Sequence, residues 1–275
     1  MMNDINTAGR PVAVITGASS GIGAALARKA AAMGCKTVLV ARRRARLEAL
    51  AAELEKIFGV PTEIVELDLT ASGAVKSLLE YLEAHGIAVD ILVNCAGFGI
   101  AGPMMEMDLE RVEEMLRLNN SVLVELTLRI GRDMKARGKG QILNVASSAA
   151  FQPCPFLGAY GATKAFVLSF SEALAEELRH TGVTVTALCP GPTATEFGEV
   201  AGLAAENPMQ GVDLAKFERT AAQVAATGWR AMERGQCVVI DGGMNACAAE
   251  LVRFLPRELV RRIAGRILGR LRLRR

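Results

Sequence analysis

The sequence predicts an α/β protein: a doubly wound parallel sheet of seven strands with helices on both faces, folded as a single domain. Three observations carry this expectation. Apolar runs of strand length recur along the chain, each followed by a helical pattern. The runs are apolar throughout instead of alternating, as a parallel sheet covered on both faces requires. The first run leads straight into a glycine-rich turn and an Ala-rich helix, the unit with which such sheets hold a pyrophosphate.

The predicted strands are 12–16, 37–41, 62–67, 89–94, 141–146, 183–188 and 238–240. No repeat or low-complexity linker interrupts them, so residues 1–252 read as one dinucleotide-binding domain. Within it, 193–216 fits the sheet rhythm poorly and is expected to form a substrate lid. The tail, 253–275, differs in kind: nine arginines against Glu258 alone give it +8, which leaves −5 for residues 1–252. Leu259, Val260, Ile263, Ile267 and Leu271 recur at near-helical spacing, so a basic amphipathic helix is expected there. Four roles fit such a helix: packing on its own domain in a chain that prefers Arg to Lys, covering a cleft, lying on a membrane surface, or binding a partner. Nucleic acid is not expected as a partner.

The whole chain of 275 residues is 51% hydrophobic, with 29 acidic against 32 basic side chains, which excludes disorder, collagen-like fibres and a coiled rod. At this length a core needs no disulfide or metal staple. The longest uncharged window, 140–163, contains Asn144, Ser147, Ser148, Gln152, Pro153 and Pro155. These are costly in hydrocarbon, so the window reads as strand plus loop instead of a spanning helix. The opening MMNDINTAGR has no apolar signal region, the six cysteines form no CxxC pair, and His85 and His180 are the only histidines. A cytoplasmic protein without a metal site is therefore expected, and the sequon Asn119-Asn120-Ser121 reads as accidental.

The chemistry begins at Thr16-Gly17-Ala18-Ser19-Ser20-Gly21-Ile22-Gly23. Glycines let backbone approach a phosphate that faces the positive end of the following helix. The same letters satisfy the GxSxG nucleophile elbow of hydrolases, but that elbow should follow several strands and recruit a later His. About 20 residues on, where an NAD enzyme offers Asp or Glu to the ribose, stand Arg42, Arg43 and Arg44. Cations at a helix start oppose its dipole, and a bound 2′-phosphate would relieve that conflict, so NADP (NADPH) is favoured over NAD. Arg42 is the expected phosphate ligand, with Arg43 beside it. A solvated basic patch partly offset by Glu48 is the bland alternative.

Tyr160 and Lys164 lie four apart in a helical stretch and so share a face. There the ammonium is expected to stabilise a phenolate and lower the tyrosine pKa. Such a tyrosine can give a proton to a carbonyl oxygen that receives hydride, or take one from an alcohol. Ser147, ending the fifth strand, is placed to hold that oxygen. A Tyr with Lys four later also arises by chance, so the pair gains its weight from the scaffold around it.

With these residues the chain resembles the short-chain dehydrogenase/reductase family, in its compact single-domain branch. The likeness spans roughly residues 10–245: TGASSGIG at 16–23, Asp68-Leu69, NCAG at 94–97, Ser147 thirteen residues before Tyr160, YGATK at 160–164 and CPGPTATEF at 189–197. The resemblance implies a Rossmann-like sheet and nicotinamide hydride transfer, with Ser147 orienting the substrate oxygen, Tyr160 as acid/base and Lys164 binding the nicotinamide ribose. By the same likeness Asn119 serves the proton relay, Asp68 and Leu69 flank the adenine, Asn94, Ala96 and Gly97 line the cofactor, and Pro190 and Thr193 meet the nicotinamide end. A homodimer or homotetramer is also implied. The chain departs from the family's pattern at Cys95, where a second Asn is usual, and at Asn120, where a small apolar residue is usual. The function expected is reduction of a ketone or aldehyde, or oxidation of the matching alcohol, on an apolar, acyl or steroid-like molecule. The mouth residues Phe98, Ile100, Phe151, Phe156, Leu157 and Phe197 motivate the apolar class, and the basic tail's resemblance to that of bacterial members related to steroid and long-chain acyl reductases implies the acyl or steroid-like one. The alternative is a non-catalytic NADP(H)-binding sensor or assembly protein.

Overall fold

The computed structural model describes residues 9–203 and 218–269. Its strands are β1 (Val12–Thr16), β2 (Lys36–Ala41), β3 (Thr62–Glu66), β4 (Ile91–Asn94), β5 (Gly140–Val145), β6 (Val183–Cys189), β7 (Thr193–Ala194), β8 (Arg219–Thr220) and β9 (Val238–Ile240). Seven of them form one parallel sheet in the order β3-β2-β1-β4-β5-β6-β9. The expected strands are all present, shifted by one or two residues at their ends, where strands fray into turns.

Side-chain alternation builds two cores from each strand. Ala13, Ile15 and Leu39 face one side and pack with Leu26 of α1 (Gly21–Ala32) and Leu47, Leu50 and Leu54 of α2 (Arg44–Phe58). Val14, Val38 and Val40 face the other and pack with Leu78 and Leu82 of α3 (Ala74–Ala84). Beyond α4 (Leu109–Leu116), Leu126, Ile130 and Met134 of α5 (Leu123–Arg137) join that second layer. The first layer is completed after α6 (Gly158–Glu177) and α7 (Phe197–Val200) by Val224, Trp229 and Met232 of α8 (Ala221–Glu233). Burial on both faces is the physical reason that the central strands are largely apolar, while the edge strand β3 carries Glu63 and the exposed Glu66.

The strand order reverses between β1 and β4. There the connections leave in opposite directions and open a crevice beyond the carboxyl ends of the strands. The expected lid falls on 193–216, of which 204–216 lies outside the described residues. Its described part starts at β7, which pairs in parallel with β8, so that Thr193 faces Arg219 and Ala194 faces Thr220. Arg219 in turn is ion-paired to the fully buried Asp241 at 3.1 Å. In the tail, α9 (Gly243–Val252) is followed by α10 (Arg257–Leu268), while 270–275, with Leu271, lies outside the described residues. Val260 is buried, whereas Leu259, Ile263 and Ile267 are 40–44% exposed. No helix among the described residues is long and apolar enough to cross a membrane.

Candidate functional site

A cleft of about 1020 Å³ opens at the crevice. Its floor is the turn from β1 into α1. Gly17 has φ +69°, and a Cβ there would sit 2.9 Å from backbone atoms of Ala96. At Gly23 a Cβ would sit 2.3 Å from the Gly17 carbonyl oxygen. Only glycine lets these three backbone segments meet. Thr16, to which the motif assigned no role, ties them: its hydroxyl accepts from the Cys95 and Ala96 amides at 3.0 and 3.1 Å and donates to Val93 O. Ser20 precedes α1 in extended conformation with no side chain capping the helix. The positive end of α1 therefore faces the cleft with its first amides left for an anion.

Ser19, Ser20, Gly21 and Ile22 line the same floor, with Arg42 and Arg43 above them. Arg42, the expected phosphate ligand, is 63% exposed and stands 4.0 Å from Asp68 and 3.8 Å from Glu114. Arg43 is better fixed: it donates to Ser19 Oγ at 3.1 Å and to Ser20 Oγ at 2.7 Å. Asp68 and Leu69 form the adjoining wall. Burial raises the Asp68 pKa, but hydrogen bonds from the Thr70 hydroxyl and amide, with Arg42 nearby, leave it below its ordinary value.

Ser147, Tyr160 and Lys164 line the opposite wall together with Pro190 and Thr193. Ser147 lies two residues beyond β5, at the start of a 3-10 turn, and its hydroxyl accepts from the Ala149 amide at 3.1 Å. Tyr160 and Lys164 project from one face of α6, both buried. The phenol is not lowered as the sequence led us to expect. Burial pushes it up to about 12, against the opposing hydrogen bond from Ser147. Lys164 Nζ lies 5.8 Å from the Tyr160 ring centroid and donates to Val145 O at 2.8 Å. Its own pKa is brought down to about 8 by burial.

Asn119 sits in a π-helical turn, Arg117–Val122, between α4 and α5. Its amide donates to Phe98 O at 2.9 Å and Thr163 Oγ1 at 3.0 Å, and its oxygen accepts from Phe98 N at 3.1 Å. It thus joins the loop after β4 to α6, where the Thr163 hydroxyl donates to Tyr160 O at 2.7 Å. Ala96 and Gly97 line the cleft, but Asn94 is absent from its wall. Being in the strand itself, Asn94 points into the interior and donates to Thr127 Oγ1 and Asn144 Oδ1, both at 2.9 Å. Phe98, Leu157 and Phe197 reach the cleft, as do Glu196 and, from the tail, Leu268. Glu196 carried no sequence signal, because its partners Arg43 and Arg46 lie some 150 residues away. No cluster of metal-ligating side chains occurs among the described residues.

The sequence model of the family described as short chain dehydrogenase matches residues 11–206. A 7β-hydroxysteroid dehydrogenase from Collinsella aerofaciens is 30% identical over 252 residues, covering 88% of this chain and 94% of its own. Among solved structures, a short-chain dehydrogenase from Sphingobium yanoikuyae in complex with NADPH is 32% identical with a TM-score of 0.78, covering 89% of this chain and 94% of its own. A short-chain dehydrogenase/reductase from Burkholderia phymatum in complex with NAD is 26% identical with a TM-score of 0.77, covering 88% and 92%.

Proposed function

The chain belongs to the short-chain dehydrogenase family, and from that premise we propose that it is an NADP(H)-dependent oxidoreductase acting on a ketone, an aldehyde or the matching alcohol of an apolar, acyl or steroid-like molecule. The observation that carries the reading is the meeting of a glycine cradle and a Ser147–Tyr160–Lys164 wall across one cleft. The cradle fits a dinucleotide on its own terms, since the backbone approach at Gly17 and Gly23 and the uncapped start of α1 suit a pyrophosphate. Both NADPH-bound and NAD-bound relatives share the fold. The choice of NADP(H) rests on Arg42 and Arg43, whose forked donors match a 2′-phosphate.

The bound nicotinamide supplies or accepts the hydride. The protein's part is to place the reacting oxygen and handle the proton. Ser147 Oγ holds the substrate oxygen, and the Tyr160 hydroxyl donates its proton to that oxygen during reduction or takes it back during oxidation. With its pKa at about 12, Tyr160 is protonated at neutral pH, the state that reduction needs. Lys164, with Nζ fixed by Val145 O, offers its remaining donors to the cleft. Asn119 positions both walls through Phe98 and Thr163. Phe197, 5.0 Å from the Tyr160 ring, together with Phe98 and Leu157 gives the mouth the apolar character that favours a large, apolar carbonyl. The likeness to the Collinsella relative, a 7β-hydroxysteroid dehydrogenase, supports the same class.

The test follows NADPH consumption by wild type and Tyr160→Phe across carbonyls from short ketones to steroid and long-chain acyl ketones. Turnover of the larger carbonyls is expected to fall by about 10² to 10⁴ in the variant, with NADPH binding retained. Full activity in Tyr160→Phe sinks the mechanism, and silence of wild type despite NADPH binding shifts the reading to a sensor.

A further inference from the structure

Glu196 stands between β7 and α7, at the entrance to the lid segment. Its carboxylate is held by Arg43 Nη1 at 2.8 Å and by a second, short contact from Arg46. These two guanidiniums draw its pKa down to about 2. The remaining donors of Arg43 are directed to Ser19 and Ser20 on the glycine turn. One guanidinium therefore bridges the glycine turn and a carboxylate from the segment after β7.

The neighbouring residue works at the other end of the same strip. The Phe197 ring lies against Tyr160, and its Cζ would come within 2.6 Å of a Cβ at Gly99. Residues 196 and 197 thus touch both the arginines at the adenosine end and the tyrosine at the reacting end.

We propose that Glu196 is an internal anion that occupies Arg43 and Arg46 in place of the cofactor's 2′-phosphate, so that it sets how strongly the protein prefers NADP(H) over NAD(H). The inference rests on the reading of Arg42 and Arg43 as phosphate ligands. A phosphate and a carboxylate draw on the same forked donors, and Arg43 Nη1 is already committed to Glu196. Binding NADPH then requires Arg43 to exchange or share its carboxylate, a step that NADH, lacking the phosphate, does not need. Removing the carboxylate leaves the arginines free beforehand and should favour the phosphorylated cofactor alone. The side chain of Glu196 is 38% exposed, so each ion pair is partly screened, and the effect of losing both is about three- to tenfold in affinity.

The experiment titrates NADPH and NADH separately into the full-length protein and reads the rise in nicotinamide fluorescence, for wild type, Glu196→Gln and Arg43→Ala. Glu196→Gln is expected to tighten NADPH about three- to tenfold and to leave NADH within about twofold, while Arg43→Ala weakens NADPH and spares NADH. If Glu196→Gln leaves NADPH unchanged, weakens it, or moves both cofactors together, the inference is overturned. A selective loss of NADPH in Arg43→Ala would then still uphold the NADP(H) reading. If Arg43→Ala weakens both cofactors equally, it is the NADP(H) reading itself that fails. Thermal melts of each variant separate a change in binding from a loss of fold.

Discussion

Asn119 offers the sharpest test of how the site is held together. Asn119→Ala deletes a side chain that is 1% exposed and satisfies three groups: the Phe98 amide, the Phe98 carbonyl and the Thr163 hydroxyl. A buried backbone group stripped of its partner costs about 1–3 kcal/mol. The two groups of Phe98, itself buried, bring the expected loss to about 2–6 kcal/mol. That is a large part of the roughly 5–15 kcal/mol by which a domain is stable. With a urea m-value of about 3 kcal/mol/M, the unfolding midpoint should fall by about 0.7–2 M. Urea titration followed by far-UV circular dichroism measures this directly. Combining the change with Thr163→Val in a double-mutant cycle isolates the link to α6, expected at about 0.5–1.5 kcal/mol. A loss below about 0.5 kcal/mol with strict additivity would refute the reasoning, because the loop after β4 would then be held by other contacts.

Two more outcomes follow from the geometry. Gly23→Ala forces a Cβ to within 2.3 Å of the Gly17 carbonyl oxygen, a clash of backbone with backbone that a side-chain rotation cannot relieve; a lower melting temperature and at least about tenfold weaker NADPH binding are expected, and wild-type affinity would show that the turn yields cheaply. If the half-exposed stripe of Leu259, Ile263 and Ile267, flanked by Arg257, Arg261, Arg262 and Arg266, rests on an anionic bilayer, full-length protein should co-sediment with anionic vesicles but not neutral ones, and replacing the three apolar residues with Ser should abolish this; equal sedimentation of wild type and variant retires the membrane reading and leaves Leu268 at the cleft to argue for a cover.

Much of the site was legible because its chemistry is local. The glycine turn, the β2-end arginines and the Tyr160–Lys164 spacing each sit within one turn or one helix face, where a few residues of sequence fix the geometry. Asn94 shows the limit of reading by motif: its neighbours Ala96 and Gly97 line the cleft, but strand geometry turns Asn94 itself into the interior, onto Thr127 and Asn144. Tyr160 shows another. Spacing places Lys164 on its face, yet burial, which no spacing records, raises the phenol to about 12.

The parallel sheet could be read from the chain alone, since strands covered on both faces are largely apolar along their length, and so could the order of the site motifs. Tertiary structure alone decided which of two adjacent arginines is anchored. Arg43 is locked by Ser19 and Ser20 from one segment and Glu196 from another, while Arg42 remains open to solvent. It also decided that Phe98 and Thr163 meet through Asn119 and that the end of α10 reaches the cleft. Such contacts join residues tens to more than a hundred positions apart, and their energies depend on distance and burial, which no local pattern of residues records.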